Sequence, residues 1–243
     1  MIASENREAW IGGSDAIRLY AKDMSLPTFS NWWKEKLGGD RKSLNNRHIW
    51  SGNIVEHYVL EHLGIPIAQR SVKVTTDGIS GVNTDALLSD RVVEIKTMMA
   101  EEHHNITTGR HKLPKAYRAQ ALHAMVVTKT DRCDIHIFPM TPEEKRWPFK
   151  AILQIPRRLS CLTLYLSDYT DPDFSPENHK IRLAYFEQCF ANGSQPNNQS
   201  LINFINNFKS ISNGGNTVCP AETGSPGIGE RRGEEPSKKV LAL

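Results

Sequence analysis

The stretch Gly81–Thr97, GVNTDALLSDRVVEIKT, constrains the fold more than any other part of the chain. Read with period 2, it gives two strands, Gly81–Leu88 and Arg91–Thr97, around the turn-forming pair Ser89 and Asp90. With that pair as the loop, Leu88 opposes Arg91 and Asp85 opposes Glu94. Opposed side chains in an antiparallel pair have Cβ atoms about 5 Å apart, where like charges repel. Asp85, Glu94 and Lys96 then point to one face, and Val93 and Ile95 to the other, into a core. Two carboxylates and an ammonium on one patch suit a divalent cation, which turns the repulsion of the carboxylates into ligation. The same residues fit an ordinary charged strand face, so their surroundings must decide.

With 243 residues, 39% of them hydrophobic, the chain is long enough for a full core, and residues 1–208 are expected to form a single domain. Residues 209–243 turn to Gly, Ser, Pro, Asn and Glu and are expected to be a disordered tail. No apolar run approaches the roughly 20 residues that span a bilayer. The opening MIASENREAW lacks the pattern of a signal peptide. A cytoplasmic protein with no membrane association is the expectation. The four cysteines, at 133, 161, 189 and 219, include no close pair, so they read as free thiols and not as zinc ligands. A net charge of +3 does not by itself argue for nucleic acid. Arg110, Lys112, Lys115 and Arg118 do concentrate basic charge just after the carboxylate hairpin.

Upstream, Gly12 and Gly13 force a turn, and Ser14 reads as the N-cap of a helix over Asp15–Ala21. A hydroxyl at a helix N-terminus with Arg7 nearby suits a phosphate, as it suits a plain capped helix. Thr28–Leu37 reads as a second helix, with Trp32 and Trp33 as packing residues. A longer helix, Leu44–Leu63, carries the stripe Ile49, Gly52, Glu56, Val59/Leu60, Leu63, which places Glu56 within its buried face. A carboxylate there needs a cation or a proton. Ser71–Thr75 is a strand. Ala100–Lys112 reads as a polar loop whose His103, His104 and His111 suit DNA contact or solvent better than metal. Pro114 opens a helix to Val127 with Tyr117 and Gln120 on its packed face, and Cys133–Phe138 is a strand. Beyond Pro139 the pattern gives a loop at Thr141–Trp147, a strand at Lys150–Ile155 and an ambiguous Leu159–Leu166. A helix follows from Ser175 to near Gly193, then an amphipathic piece at Leu201–Phe208.

This order of motifs resembles the PD-(D/E)XK nuclease superfamily, and within it the lambda-exonuclease or YqaJ-like viral recombinase family. Arg7 with Ile11-Gly-Gly-Ser-Asp15 looks like that family's opening R-x-x-x-I-x-x-S motif. Ser51-Gly-Asn-Ile-Val-Glu56 is similar to its glycine-then-glutamate helix. Asp85 and Glu94-Ile95-Lys96 match the core motif, and Tyr117-Arg-Ala-Gln120 matches the Y-x-x-Q helix. The matches lie in family order within residues 5–138. Thr84 and Ala86 stand where the family usually has proline and glycine, and neither supplies a ligand.

The resemblance implies an α/β (α+β) fold with a restriction-endonuclease-like core, a mixed central β-sheet flanked by helices. It implies a Mg²⁺-dependent exonuclease, with Mn²⁺ able to substitute, that digests linear double-stranded DNA from 5′ ends and leaves 3′ single strands for phage-type recombination. Asp85, Glu94 and the Ile95 carbonyl would hold the metal, and Glu56 a second ion or its water shell. Lys96 would orient or deprotonate the attacking water, with Gln120 and Tyr117 positioning it. Arg7 and Ser14 would grip the 5′ phosphate, and Arg110, Lys112, Lys115 and Arg118 the DNA backbone. It further implies a single-strand annealing protein as partner, a homotrimeric ring, and a phage or prophage source. Three alternatives stay open: a single-strand exonuclease, a structure-specific endonuclease of the same superfold, and a non-catalytic DNA-binding module. The version of the first with an iron–sulfur cluster is disfavoured, because no cysteine precedes Cys133.

Overall fold

Residues 10–38, 47–76 and 78–213 are described by the computed structural model. Arg7, residues 44–46 of the long helix and residues 214–243 of the expected tail lie outside them. A 3-10 helix, Gly13–Tyr20, comes first, then α1 (Pro27–Lys36) and α2 (Arg47–His62). Four short strands follow: β1 (Lys73–Thr75), β2 (Gly81–Asn83), β3 (Ala86–Leu87) and β4 (Val92–Met99). Next are α3 (Ala100–Thr107), α4 (Lys115–Thr128), β5 (Arg132–Met140), α5 (Pro142–Arg146) and α6 (Ile155–Arg158). The described chain closes with β6 (Ser160–Tyr165), α7 (Pro176–Ala191) and α8 (Asn198–Asn213).

The main sheet has the order β3-β4-β5-β6. Its central pair, β4 and β5, is parallel, and both flanking pairs are antiparallel. A parallel pair needs a long crossover, which α3 and α4 supply. The mixed sheet flanked by helices expected from the resemblance is therefore present.

β4 alternates cleanly between two cores. Val92 and Met98 join one cluster with Cys133, Ile135 and Ile137 of β5, covered by Leu122 and Met125 of α4, the 3-10 helix, α1 and α7. Val93 and Ile95 join the other with Phe138 and Met140, covered by Val55, Val59 and Leu60 of α2. Trp32 and Trp33 are buried against Phe186, as packing residues. Gly64, at φ +64, takes the left-handed conformation that ends the α2 segment.

Several boundaries differ from the sequence reading. The first helix is of 3-10 type, and Gly12, not Ser14, is its N-cap. In α2 the buried stripe is Ser51, Val55, Val59 and Leu60, while Ile49 is exposed, so Glu56 sits at the edge of the packed face. Residues 100–107 are a helix, its first turn favoured by Glu101 and Glu102 near the positive end of the macrodipole. Pro114 caps α4, which starts one residue later. The Thr141 hydroxyl accepts the Glu144 N–H at 3.2 Å, and the Glu144 carboxylate takes the Thr141 N–H, a reciprocal cap that makes α5 from the expected loop. Within Lys150–Ile155, expected to be a strand, Ile152–Gln154 form a 3-10 turn and Ile155 opens α6, where Pro156 sits in the first turn and its missing N–H is not needed. Ser160–Tyr165 resolves the ambiguous segment as a strand. Residues 209–213 continue α8 and are not part of a disordered tail.

Candidate active site

The hairpin register follows the sequence reading. Ala86 pairs with Val93 and Leu87 with Val92, and the Leu88 N–H donates to the Arg91 carbonyl across the Ser89-Asp90 loop. Counting on, Asp85 stands opposite Glu94. The expected eight-residue first strand is nevertheless broken there. Antiparallel alternation would give the Ile95 N–H to the Thr84 carbonyl. It goes instead to the Asp85 carboxylate, at 2.6 Å. Upstream of that break β2 pairs with β1, and the Ser71 N–H reaches the Asp85 carbonyl. The two strands splay, and the gap between them is where the charged side chains gather.

Glu94 is 1% exposed. Its Oε2 accepts hydrogen bonds from the Lys96 ammonium at 2.8 Å and the Gln120 side-chain amide at 2.7 Å. Its Oε1 is buried with no partner. Such an orphan acceptor is costly unless something fills the place. The Lys96 Nζ also lies 5.8 Å from the centroid of the Tyr117 ring. The structure thus brings together Asp85, Glu94, Lys96, Gln120 and Tyr117.

The electrostatics agree. Burial, the Asp85 charge and the Glu94 charge push the Glu56 carboxyl up to about 7, with Lys96 pulling the other way. Burial and Asp85 push Glu94 up to about 7, again against Lys96. Burial likewise raises Asp85, partly offset by Lys96 and the Ile95 N–H. Burial disfavours the Lys96 ammonium, but Glu94 and Asp85 more than reverse that, and its pKa rises. Glu56 therefore reaches the same constellation from α2. Three carboxyls share one ammonium, an excess of negative charge with an unfilled oxygen. An all-oxygen set of this kind fits a hard divalent cation such as Mg²⁺.

A cavity of about 120 Å³ opens beside Asp85 and Gln120. Trp10, Gly12, Gly13, Ser14, Asp15, Lys36 and Asn83 complete its wall. Asp15 organises that wall: it accepts the Gly12 N–H at 3.1 Å and the Trp32 indole N–H at 2.9 Å, and pairs with Lys36 at 2.7 Å. The Trp10 indole N–H is buried with no acceptor. Behind the wall runs a buried chain. The Gly81 carbonyl can only accept, so His123 donates to it from Nε2 at 2.9 Å. His179 then donates to His123 at 3.1 Å and Tyr20 to His179 at 2.7 Å, with both rings neutral. Burial lowers both histidine pKa values, as this arrangement requires.

Sequence reasoning named Ser14 at this cavity and missed Lys36, Asn83 and Trp10. Asn83 carried a signal, since it lies two residues before Asp85 on the hairpin. Lys36 carried none, because only the tertiary fold brings α1 to the 3-10 helix. The basic residues are spread along the α3–α4 region. Arg110, Lys112 and Lys115 are exposed, while Arg118 is half-buried. Lys115 and Arg118 both lie over Phe174, at 5.2 and 5.4 Å. His103 bonds the Ser160 hydroxyl and His111 pairs with Glu102.

Among the described residues, Asp134, His136 and Cys161 form another cluster whose ligand atoms lie within 4.8 Å of one another. Its parity on β5 places it on the sheet face opposite Glu94. Both Asp134 oxygens are already engaged by Arg132, with Arg91 and Thr163 adding further contacts. It is separate from the carboxylate site.

The model of the YqaJ-like viral recombinase domain matches residues 4–131, more than half of the chain. No curated protein sequence matches. Among solved structures, the chain is similar to the alkaline exonuclease LHK-Exo of Laribacter hongkongensis, with TM-score 0.51 and 15% identity over 85% of this chain and 94% of that one. It is also similar to a phage-related exonuclease of Haemophilus somnus 129PT, with TM-score 0.54 and 15% identity over 74% and 93%. A complex of LHK-Exo with dAMP gives TM-score 0.52 and 17% identity over 85% and 94%. At these identities the likeness concerns the fold.

Proposed function

The chain belongs to the YqaJ-like viral recombinase family, and from that premise we propose that it is a Mg²⁺-dependent 5′-to-3′ exonuclease acting on linear duplex DNA. The observation that carries the reading is the orphan Glu94 Oε1 within a group of carboxyls that repel one another. Asp85, Glu94, the Ile95 carbonyl and Glu56 would hold the cation. Bound there, it would supply neutralisation of the phosphodiester charge and a more acidic water.

The chain's own groups do the rest. Gln120 and Lys96 occupy Glu94 Oε2 and so leave Oε1 as the oxygen that would hold the cation. Lys96 remains an ammonium, because two carboxylates hold its proton. It therefore serves as a donor, orienting water and stabilising the charge that grows on phosphate oxygens. Tyr117 keeps that ammonium in place through its ring face.

The cavity beside Asp85 supports end recognition. Ser14 and Asn83 line it, beside the Lys36 ammonium that Asp15 and the Trp10 carbonyl hold in place, and a terminal 5′ phosphate is an anion such a wall suits. Arg7 would add to it. Arg110, Lys112, Lys115 and Arg118 would supply sequence-independent, salt-sensitive contacts. A single-strand annealing partner and a trimeric ring belong to this reading through the family alone. The absence of a membrane-crossing helix among the described residues is compatible with it.

The test compares linear duplex labelled at 5′ or 3′ ends with a closed circle, in Mg²⁺ or EDTA. Early loss of the 5′ label, with the circle intact, is the expected result. Nicking of the circle would move the reading to an endonuclease, and early loss of the 3′ label would overturn the polarity.

A further inference from the structure

A second surface carries chemistry that the carboxylate site does not use. Trp50 of α2 stands 6.5 Å from Trp147 and 6.0 Å from Phe149, both edge to face. The three rings are 39%, 63% and 51% exposed, while Trp10, Trp32 and Trp33 are buried. The segment that presents two of them is Lys145-Arg-Trp-Pro-Phe-Lys150. Pro148 is buried and its carbonyl accepts the Ile152 N–H at 3.0 Å, so a fixed anchor holds one ring out on either side. Arg146 and Lys150 are exposed, as is Arg157 nearby, and none of the three is in a salt bridge among the described residues. The neighbouring Glu144 is already taken by Arg158 at 2.6 Å.

We propose that Trp50, Trp147 and Phe149, with Arg146 and Lys150, form a stacking platform for unpaired DNA bases. Rings this exposed, flanked by cations that are in no salt bridge among the described residues, match a single strand: bases stack on the rings and phosphates meet the cations. A duplex covers its base faces by stacking everywhere but at its two end pairs. A purely apolar partner surface would leave the interleaved cations unmatched, which favours nucleic acid over protein as the occupant. The placement is also apt. Trp50 precedes Glu56 by six residues on α2, about 9 Å along the helix axis. That is on the order of three nucleotides at ~3.4 Å per step. The platform rests on the exonuclease reading for the identity of its strand, the one left unpaired as its complement is digested.

The experiment uses full-length Lys96→Ala protein in EDTA, with labelled oligo-dT and a blunt duplex of equal charge, read by anisotropy. Adding Trp147→Ala with Phe149→Ala is expected to weaken oligo-dT binding about tenfold or more, and the duplex far less. Lys150→Ala is expected to lower the slope of log affinity against log salt by about 0.7 for the single strand. Quenching of the exposed tryptophans by oligo-dT should accompany binding. Unchanged oligo-dT affinity overturns the platform, whatever protein the patch also binds. Equal weakening toward both DNAs overturns it as well. The two readings fail separately. Wild-type cleavage with unaltered oligo-dT affinity in the ring variants removes only the platform. Absent cleavage with ring-dependent oligo-dT binding removes only the nuclease.

Discussion

Glu94→Gln should make the metal-free protein more stable, and the gain should depend on pH. In the fold the Glu94 carboxyl titrates at about 7, against an ordinary 4.5. A carboxyl raised on folding favours the native state while protonated, so its destabilisation is absent below about 4.5 and complete above about 7. The separation corresponds to about 3 kcal/mol at 1.36 kcal/mol per pH unit. Glu56 is raised mainly by its own burial and only in small part by Glu94, so most of its cost is common to variant and wild type. Absolute stability would not display this cleanly. His123 and His179 are held neutral, and their contribution falls as pH drops below about 6.5, the opposite slope in an overlapping window. The difference between Glu94→Gln and wild type cancels them. Denaturant unfolding without metal should give a difference near zero at pH 4.5 that rises to about 3 kcal/mol by pH 8. For a chain of this size that is about 6–12 °C in thermal midpoint. Mg²⁺ at a hundredfold excess over its Kd should then stabilise wild type by about 2.7 kcal/mol and leave the variant almost unmoved. A variant less stable than wild type at pH 8 without metal would refute the electrostatic account.

Other perturbations reach single parts of the site. Lys96→Ala should remove cleavage and lower metal-free stability at pH 8, where the buried carboxyls lose the ammonium they share, but little near pH 4.5, where they are protonated. An equal loss at both pH values would contradict the facing of Lys96 toward the carboxylates. Gln120→Ala deletes the 2.7 Å bond to Glu94, and loss of a charge-assisted bond of about 1.5–3 kcal/mol should slow single-turnover cleavage at least about tenfold. A Cβ at Gly81 would lie 2.4 Å from the Trp10 ring, so Gly81→Ala should cost about 1–3 kcal/mol in unfolding experiments and distort the cavity wall.

The parts of the site that were legible in the sequence are those fixed by local rules. A two-residue loop sets a hairpin register, and period 2 sets which side chains share a face, so the Asp85–Glu94 opposition and the burial of Val93 and Ile95 follow from spacing. The break at Asp85 was not legible, because it depends on a side chain replacing a backbone acceptor. The stripe read from the sequence includes Ile49 and so puts Glu56 on the buried face. The buried stripe runs through Ser51, Val55 and Val59, about one residue away in phase, and it leaves Glu56 at the rim where a carboxyl can reach the site. Lys36 and Trp10 come to the cavity through contacts between elements distant in sequence, which periodicity does not encode. The helix at 100–107 and the turns at 152–155 differ from the pattern because short segments lack a full period of apolar residues.

The most direct measurement is release of nucleotides from linear duplex DNA by wild type and by Lys96→Ala, each in Mg²⁺ and in EDTA. The account predicts release by wild type in Mg²⁺ alone and none by the variant under either condition. Equal release by both proteins, or release that persists in EDTA, would contradict the assignment of Asp85, Glu94 and Lys96 as the centre of a metal-dependent nuclease.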